Sequence, residues 1–194
     1  MIEPIFELYE ENGLFYKVYL KDFLKSDEVE KGSIELVITS PNYNIGKEYE
    51  GYLTLDEYLD FSRKWITILQ NLLKPEGTLW LNIGFFKESN GAQYIPWTYY
   101  IYHIVKKIGG LHLVQEVVWH YGAGVNCKKK FSPRNEKWLF YVKNLKNYTF
   151  NLDDVRVPHK YPNQFKKGKL KVNPLGKNPS DVWDIPKVTS GRNR

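Results

Sequence analysis

The chain has 194 residues, of which 42% are hydrophobic and 16% aromatic, a composition that predicts a folded protein with a sizeable core. A single cysteine, Cys127, excludes an internal disulfide and a cysteine-rich metal site and is typical of a reducing cytoplasm. The net charge of +6 is unevenly spread, because residues 1–126 carry 11 Lys and Arg against 17 Asp and Glu, whereas residues 127–194 carry 17 against 5. A basic second part favours a polyanionic partner, with nucleic acid first.

The amino terminus lacks the positive region and apolar core of a signal peptide. The chain also has no apolar run that approaches the length of a membrane helix. We therefore expect a soluble, cytoplasmic protein without a membrane partner.

The first predicted elements are a short helix over residues 4–11, ended by Gly13, and a strand over residues 14–20. Asp22 comes just after that strand, where it is a good N-cap for a following helical turn. Its local role therefore needs nothing beyond helix capping.

Residues 34–44 contain an apolar run at 36–38 that predicts a buried strand. Pro41 ends this strand, because it cannot donate to a ladder and biases Ser40 toward extended backbone. A hydroxyl, freed carbonyls, an amide and the exposed ring of Tyr43 are then gathered at the carboxyl end of a parallel strand. Ligands bind at that position in open α/β sheets.

A polar loop is predicted at residues 45–51, directly after this ligand position, where it could act as a lid. Thr54 and Glu57 then form a capping box that opens a long amphipathic helix reaching Lys74. A turn at residues 74–77 and a buried strand at residues 78–83 follow. Strand, helix and strand together predict a right-handed parallel unit.

A second helix ends at Gly109-Gly110 and precedes strands at residues 111–121 and 137–143. Between these strands lies a basic loop, residues 122–136. Its Gly-x-Gly is followed by three lysines and a proline rather than a helix, which disfavours a nucleotide loop. From Tyr148 the periodicity dissolves into a basic, proline-punctuated segment.

Ser40-Pro41-Asn42-Tyr43 resembles the catalytic tetrapeptide of the amino-group DNA methyltransferases, usually written (Asp/Asn/Ser)-Pro-Pro-(Tyr/Phe). Four residues alone are equally consistent with a strand and an ordinary Pro-Asn turn. Further segments strengthen the resemblance: Lys-Pro-Glu-Gly-Thr-Leu-Trp-Leu-Asn-Ile-Gly from Lys74, Val118-Trp119-His120, Arg134-Asn135-Glu136-Lys137, and Asn-Pro-Leu-Gly-Lys-Asn-Pro-Ser-Asp-Val-Trp from Asn173. Together they resemble the permuted, beta-class-like DNA methyltransferases, in which the catalytic half precedes the cofactor half.

The resemblance implies an α/β fold: a partial Rossmann-like methyltransferase sheet with a basic, loop-rich target-recognition region. Residues 1–147 would form the catalytic part, including the basic loop 122–136, and residues 148–194 the DNA-recognition segment. The implied function is site-specific transfer of a methyl group from S-adenosylmethionine to an exocyclic amino group of a flipped base. By family tendency, serine at the first motif position favours cytosine N4 over adenine N6.

The resemblance also assigns roles to single residues. Ser40 Oγ and the Pro41 carbonyl would accept hydrogen bonds from the amino group, and Tyr43 would stack on the flipped base. Asp22, Thr39 and Ser40 would lie beside the cofactor. Double-stranded DNA would meet the basic residues Lys128, Lys129, Lys130, Arg134, Lys166, Lys167 and Lys169. The four histidines share no ligand spacing, so no metal is expected.

The chain departs from the family pattern twice. Asn42 stands where a second proline is usual, so its side chain would have to restrain the turn instead. The glycine-rich Phe-x-Gly-x-Gly of the cofactor half does not occur. We expect either a longer polypeptide or a separate chain to supply it. The isolated chain should expose an apolar face beside residues 36–38 and tend to associate, for instance as a homodimer.

Two other functions stay open at this point. The first is a non-catalytic DNA-binding remnant, or the specificity subunit of a split methyltransferase. The second is an RNA-binding protein that stacks bases on its aromatic residues, which predicts a preference for single strands over duplex.

Overall fold

The central feature of the fold is a mixed sheet of five strands, seen in a computed structural model that describes residues 3–44, 51, 53–87, 94–124 and 126–188. The strands and helices of the described residues are, in chain order, β1 (Phe6–Tyr9), β2 (Phe15–Val18), β3 (Ile34–Thr39), α1 (Leu55–Leu72), β4 (Leu73–Ile83), β5 (Phe85–Lys87), β6 (Tyr94–Pro96), α2 (Trp97–Ile108), β7 (His112–His120), β8 (Asn135–Val142), β9 (Phe165–Lys166), β10 (Lys169–Leu170) and β11 (Val182–Asp184). Two short 3-10 turns lie at Phe23–Lys25 and Leu152–Val155.

The strands of the central sheet stand in the order β11-β7-β8-β4-β3. β3 is parallel to β4, and β11 is parallel to β7, while β8 is antiparallel to both of its neighbours. β3, β4, β7 and β11 therefore run in one direction, and their carboxyl ends meet at one edge, which we call the carboxyl edge. The α/β class and the parallel unit β3-α1-β4 are confirmed.

The core lies between the sheet and the two helices. Its buried members include Tyr58, Trp65, Ile66 and Leu69 of α1, Leu79, Leu81 and Ile83 of β4, Ile101, Ile104 and Val105 of α2, and Leu139 and Tyr141 of β8. Alternate residues of β4 point away from these, so the Trp80 ring stacks on Phe140 at 4.4 Å and on Trp183 at 5.6 Å between ring centroids. Each fully buried large apolar side chain contributes about 1.5–3 kcal/mol to stability.

The start of α1 is fixed by the predicted capping box. Thr54 Oγ1 accepts a hydrogen bond from the Glu57 amide at 3.3 Å, and Glu57 Oε2 accepts one from the Thr54 amide at 2.8 Å. The helix ends at Leu72 instead of residue 74, and the turn predicted at 74–77 lies inside β4. The pairing with β3 shifts register there, so this stretch bulges along the strand instead of turning back.

The predicted helix at residues 4–11 is wrong. The stretch instead pairs as β1 with β2 in an antiparallel hairpin, with Phe6 opposite Val18 and Tyr9 opposite Phe15. The Tyr9 and Phe15 rings stack with centroids 6.0 Å apart. Gly13 makes the connection with a φ of 86°, in the left-handed region that glycine adopts freely. The cross-strand partner therefore decides the conformation here.

β3 is an edge strand, and this corrects its expected burial. Leu36 is 50% and Ile38 62% exposed, whereas Val37 between them points to the other face and packs against the core. β3 pairs with β4 on one side and borders no other strand of the described sheet. The open edge and apolar face expected beside residues 36–38 are thus present. The lid predicted at residues 45–51 lies outside the described residues, apart from Gly51.

Residues 148–188 are mostly irregular, as predicted, but they contain strands that the sequence did not indicate. β9 and β10 form a small hairpin, and β11 returns to pair with β7. The division of the chain at residue 147 stays a prediction. Among the described helices, none has the length and apolar character needed to cross a membrane.

Candidate active site at the carboxyl edge of the sheet

The tetrapeptide Ser40-Pro41-Asn42-Tyr43 directly follows β3 at the carboxyl edge, beside the end of β4. Ser40 Oγ and Tyr43 Oη lie 3.2 Å apart. Both hydroxyls converge on Asn82, whose Oδ1 accepts from Tyr43 at 2.8 Å and from Ser40 at 3.5 Å. Asn82 is 5% exposed and donates through Nδ2 to the Lys137 carbonyl at 3.3 Å. The β4 side chain therefore orients two hydroxyls of the tetrapeptide.

From the sequence, Asn82 was noted only as part of the segment that starts at Lys74, and no role in the site was predicted for it. A polar residue near the end of a buried apolar strand, next to a functional loop in the fold, is the signal that could have identified it.

A carboxylate and an ammonium group extend this network. Glu136 Oε2 lies 3.4 Å from Tyr43 Oη, and Glu136 Oε1 lies 3.3 Å from Lys187 Nζ. Lys187 Nζ also sits 3.6 Å from the centroid of the Tyr121 ring, a cation–π contact. Neither Glu136 nor Lys187 was predicted to act at the site.

The strand β11 brings Lys187 to this position. His120 Nδ1 and Asp184 Oδ1 lie 2.5 Å apart, and Trp119 Nε1 donates to the Ile185 carbonyl at 2.7 Å. These contacts fix the segment that leads from β11 to Lys187. The pairing of β11 with β7 thus places Lys187, near the end of the basic segment, next to Glu136 and so close to the tetrapeptide.

Tyr43 is partly buried, whereas the sequence predicted an exposed ring. The ring lies against Gly84, where an added Cβ would stand 2.6 Å from Tyr43 Cε2. Burial raises the pKa of the Tyr43 phenol well above its usual range, and the negative charge of Glu136 raises it further, while the hydrogen bond with Ser40 acts in the opposite direction. Tyr43 therefore remains a neutral hydrogen-bond donor.

The loop around Asn42 is restrained by several hydrogen bonds. Asn42 Oδ1 accepts from the Asn44 amide at 3.3 Å, which confirms that this side chain restrains the turn, and the Asn42 carbonyl accepts from the Tyr58 hydroxyl. Asn44 is 2% exposed and exchanges two hydrogen bonds with the Leu53 backbone, at 2.7 and 2.9 Å. Trp97 Nε1 donates to the Tyr43 carbonyl at 3.0 Å. The absent second proline is therefore replaced by side-chain bonds.

Two clefts flank the tetrapeptide. The first, the Asp22 cleft, has a volume of about 390 Å³, and its polar lining includes Asp22, Thr39 and Asn42 beside Pro41. Its apolar wall includes Phe23, Leu24, Val37, Ile38, Phe61, Trp65 and Leu69. The structure therefore brings Asp22 and Thr39 together with the tetrapeptide, while Ser40 lies apart from this lining and contacts Asn82.

Asp22 keeps the capping role that the sequence predicted. Its Oδ1 accepts from the Leu24 amide at 3.0 Å, at the start of the 3-10 turn. The neighbouring Lys21 ammonium donates to Glu28 at 2.5 Å and to Asp27 at 2.9 Å. The hydrogen bond from Lys21, and after it the hydrogen bond from the Ser26 hydroxyl, lower the pKa of Glu28 to about 2. These contacts fix the backbone on both sides of Asp22.

The second cleft, the Glu136 cleft, has a volume of about 300 Å³. Its lining includes Gly84, Tyr94, Asn135 and Glu136, so it borders the tetrapeptide on the side of the Tyr43 ring. The Asp22 cleft is therefore lined by the tetrapeptide itself, whereas the Glu136 cleft is connected to it through Gly84 and Glu136, which both contact Tyr43.

The predicted DNA-binding residues fall into two groups. Lys128, Lys129 and Lys130 are exposed in the loop after β7, and Lys130 Nζ lies 6.0 Å from the Tyr94 ring that lines the Glu136 cleft. Arg134 instead donates within its own loop, to the Pro133 carbonyl at 2.9 Å and to Asn126 Oδ1 at 2.8 Å.

The second group forms a basic hairpin, β9 and β10. Lys166, Lys167 and Lys169 are exposed there. The two-residue connection Lys167-Gly168 has φ values of 52° and 73°, as a type I′ turn requires. Three lysines are thus displayed on a tight turn that does not join the central sheet.

Within the described ranges, no group of three His, Cys, Asp or Glu side chains is arranged to hold a metal ion. The side chains gathered at the carboxyl edge are hydroxyls, an amide, a carboxylate and an ammonium group. Such groups accept and donate hydrogen bonds to a polar substrate.

The parallel unit, the polar tetrapeptide at its carboxyl edge and the paired clefts define an α/β domain of the methyltransferase class. The DNA methylase family model, which covers N6 and N4 methyltransferases, matches residues 34–194. The chain belongs to this DNA methylase family.

Curated relatives agree with this assignment. Type II methyltransferase M.ScaI of Streptomyces caespitosus is 50% identical over 161 residues, covering 82% of this chain and 52% of that protein. Type II methyltransferase M.HpaI of Haemophilus parainfluenzae is 36% identical, covering 82% and 47%. DNA adenine methyltransferase YhdJ of Escherichia coli is 30% identical, covering 80% and 52%. The chain thus spans about half the length of these relatives.

Among solved structures, the PvuII DNA methyltransferase, described as cytosine-N4-specific, aligns with a TM-score of 0.68 at 15% identity, covering 91% of this chain and 59% of that one. At this identity the likeness concerns the fold alone. It confirms the predicted partial, Rossmann-like methyltransferase sheet.

Proposed function

We propose that this chain forms the catalytic and target-recognition part of a site-specific DNA methyltransferase. It would transfer a methyl group from S-adenosylmethionine to the exocyclic amino group of a flipped base in double-stranded DNA. One observation supports this above the others: the tetrapeptide adjoins two clefts, because Pro41 lines one together with Asp22 and Thr39, and Tyr43 contacts Gly84 and Glu136, which line the other. Each of the two clefts could therefore hold one ligand next to the tetrapeptide.

The chemistry requires acceptors for the protons of the amino group. The nitrogen lone pair is delocalised into the base, so acceptors on its N–H groups draw density back onto nitrogen and favour attack. Ser40 Oγ can accept one N–H while its own proton is directed to Tyr43 or Asn82. The Pro41 carbonyl, next to Ser40 in the chain, would accept the second.

On the cofactor side, the Asp22 cleft fits one part of a nucleoside. The Asp22 carboxylate can accept hydrogen bonds from ribose hydroxyls, and the aromatic wall with Phe61 and Trp65 can contact an adenine ring. S-adenosylmethionine, when bound, supplies an electrophilic methyl group on its sulfonium sulfur. The role of this chain is to bind one side of the cofactor and to keep the amino acceptors next to it.

The glycine-rich turn that lets a backbone approach the cofactor closely is not among the motifs of residues 1–194. We propose that a second half, corresponding to the part of the relatives that this chain does not span, supplies it, either on the same polypeptide or as a separate chain. The exposed Leu36 and Ile38 on the edge strand β3 offer a place where this half could dock. This order of halves corresponds to the permuted, beta-class-like arrangement.

On the base side, the Glu136 cleft would receive the flipped base. Extruding a base costs a few kcal/mol, and stacking on an aromatic ring returns about 1–3 kcal/mol. The Tyr43 ring is held at its edge by Gly84 and at its hydroxyl by Asn82, so its orientation is fixed before the base arrives. Glu136 and Asn82 act here as positioning residues for Tyr43.

Cytosine N4 is favoured over adenine N6 because serine occupies the first position of the tetrapeptide. Adenine N6 is the alternative, since one relative of 30% identity is named a DNA adenine methyltransferase. With a DNA substrate, the proposed activity belongs in the cytoplasm.

A fusion of residues 1–194 with the part of the Streptomyces caespitosus relative that the chain does not span tests the proposal. We expect the fusion to transfer labelled methyl groups to duplex DNA and the fused Ser40→Ala variant to lose this transfer. Mass spectrometry of the digested DNA then identifies N4-methylcytosine or N6-methyladenine. DNA binding without transfer by the fusion would support the non-catalytic alternative, and a preference for single strands would support RNA binding.

Calorimetry on residues 1–194 alone tests the division of the cofactor site. We expect weak or undetectable binding of S-adenosylmethionine, because only one wall of the site is present. Tight, stoichiometric binding without a partner would show that the chain holds a complete cofactor site.

A further inference from the structure

The loop between β7 and β8 carries a phenylalanine whose side chain is fully exposed to solvent. Phe131 is 100% exposed, and it directly follows Lys128-Lys129-Lys130. A singly exposed apolar residue is common on protein surfaces. A fully exposed aromatic ring beside three lysines, however, combines the two features that bind the bases and the phosphates of nucleic acid.

The loop that displays Phe131 is closed by internal hydrogen bonds. The Cys127 amide donates to Ser132 Oγ at 3.0 Å, which brackets residues 128–131. Further down, the Arg134 guanidinium donates to Asn126 Oδ1 at 2.8 Å, and the Tyr121 amide donates to the Arg134 carbonyl at 3.0 Å. Phe131 is therefore held at the tip of a loop whose base is fastened to the sheet.

The loop lies at the carboxyl edge, because β7 runs in the same direction as β3 and β4. Lys130 Nζ lies 6.0 Å from the Tyr94 ring, which lines the Glu136 cleft. Phe131 thus directly follows Lys130, whose ammonium group faces a ring in the wall of the cleft proposed for the flipped base. A ring at this position would face the duplex from which that base has been drawn.

We propose that Phe131 inserts into the base stack of the duplex at the gap left by the flipped base, while Lys128, Lys129 and Lys130 contact the flanking phosphates. An empty gap leaves two base faces without partners, and an aromatic ring restores their stacking. Tyr43 would hold the extruded base and Phe131 would fill its former place. This inference rests on the proposed function, since it requires a duplex with an extruded base.

The test uses residues 1–194 and two short fluorescent duplexes of the same sequence, one fully paired and one with a single abasic site. No base needs to be extruded at an abasic site, so the gap is available at once. We expect the wild type to prefer the abasic duplex and Phe131→Ala to weaken its binding about tenfold, with little change on the paired duplex. Phe131→Trp should keep the preference. Because Phe131 is fully exposed, neither variant should disturb the fold.

Phe165→Ala is the matched control, because this phenylalanine is also exposed, at 67%, and is also adjacent to lysines in the sequence, but lies on the basic hairpin. It should leave the preference for the abasic duplex unchanged. A preference that survives Phe131→Ala, a preference absent from the wild type, or an equal weakening on both duplexes would overturn the role of Phe131 while leaving the proposed function standing. A wild type that binds neither duplex, or binds single strands better, contradicts the proposed function itself.

Discussion

Gly84→Ala should displace the ring of Tyr43 without preventing the fold from forming. A methyl group at this position would stand 2.6 Å from Tyr43 Cε2 and 2.8 Å from Cδ2. Carbon atoms pack at about 3.5–4.0 Å, so the ring must move by about 1 Å. Gly84 is not among the glycines with positive φ, so its backbone conformation accepts alanine.

The expected decrease in stability combines two effects. Overpacking costs about 1–3 kcal/mol, and the hydrogen bond from Tyr43 to Asn82, 2.8 Å long, contributes about 0.5–1.5 kcal/mol. We therefore expect the free energy of unfolding to fall by about 3 kcal/mol. A domain with about 5–15 kcal/mol of stability survives this decrease.

Urea unfolding followed by tryptophan fluorescence measures the effect, with an unchanged m-value as the sign that only stability has changed. Gly51→Ala is the matched control, because nothing lies within 4 Å of its added Cβ. In a Tyr43→Ala background the ring is gone, and Gly84→Ala should then cost less than about 0.5 kcal/mol. A cost that is equal in both backgrounds would refute the contact between the ring and Gly84.

Three further predictions concern the tetrapeptide, the basic loop and acid stability. In the catalytically complete fusion, Tyr43→Ala should nearly abolish methylation, whereas Tyr43→Phe, which keeps the ring, should retain much of it; equal rates for Tyr43→Ala and wild type would exclude stacking. Replacing Lys128, Lys129 and Lys130 together by neutral residues should make the plot of log K for DNA binding against log salt concentration less steep, by about 0.9 for each phosphate that these lysines neutralise in the wild type. An unchanged slope would show that these lysines do not touch DNA. Because the hydrogen bonds from Lys21 and, second, from Ser26 lower the pKa of Glu28 from 4.5 to about 2, these contacts stabilise the fold above about pH 4.5 and lose their effect as the pH falls through about 2. Glu28→Gln should therefore flatten the pH dependence of the free energy of unfolding in that window, and an unaltered dependence would contradict the ion pair.

The features that the sequence determined are those set by neighbouring residues. Thr54 and Glu57 lie three positions apart, so their capping box could be read directly, and the helical spacing of apolar residues placed α1 and α2 within a few residues of their bounds. Pro41 ends β3 wherever the strand packs, because its ring removes a backbone donor. The tetrapeptide and its location at a strand end were therefore predictable.

What the tertiary structure decided depends on residues that are distant along the chain. Tyr43 contacts Asn82 and Glu136, which follow it by 39 and 93 positions, and Lys187 follows Glu136 by another 51. The periodicity of the sequence cannot predict such pairs, because they form only when strands from different parts of the chain align at one edge of the sheet. The same alignment turns Tyr43 inward and brings β11 back to β7, while β1 is a strand instead of a helix because it pairs with β2 in a separate hairpin. Local patterns fix local hydrogen bonds, whereas burial and long-range pairing are settled only by the packing of the whole sheet.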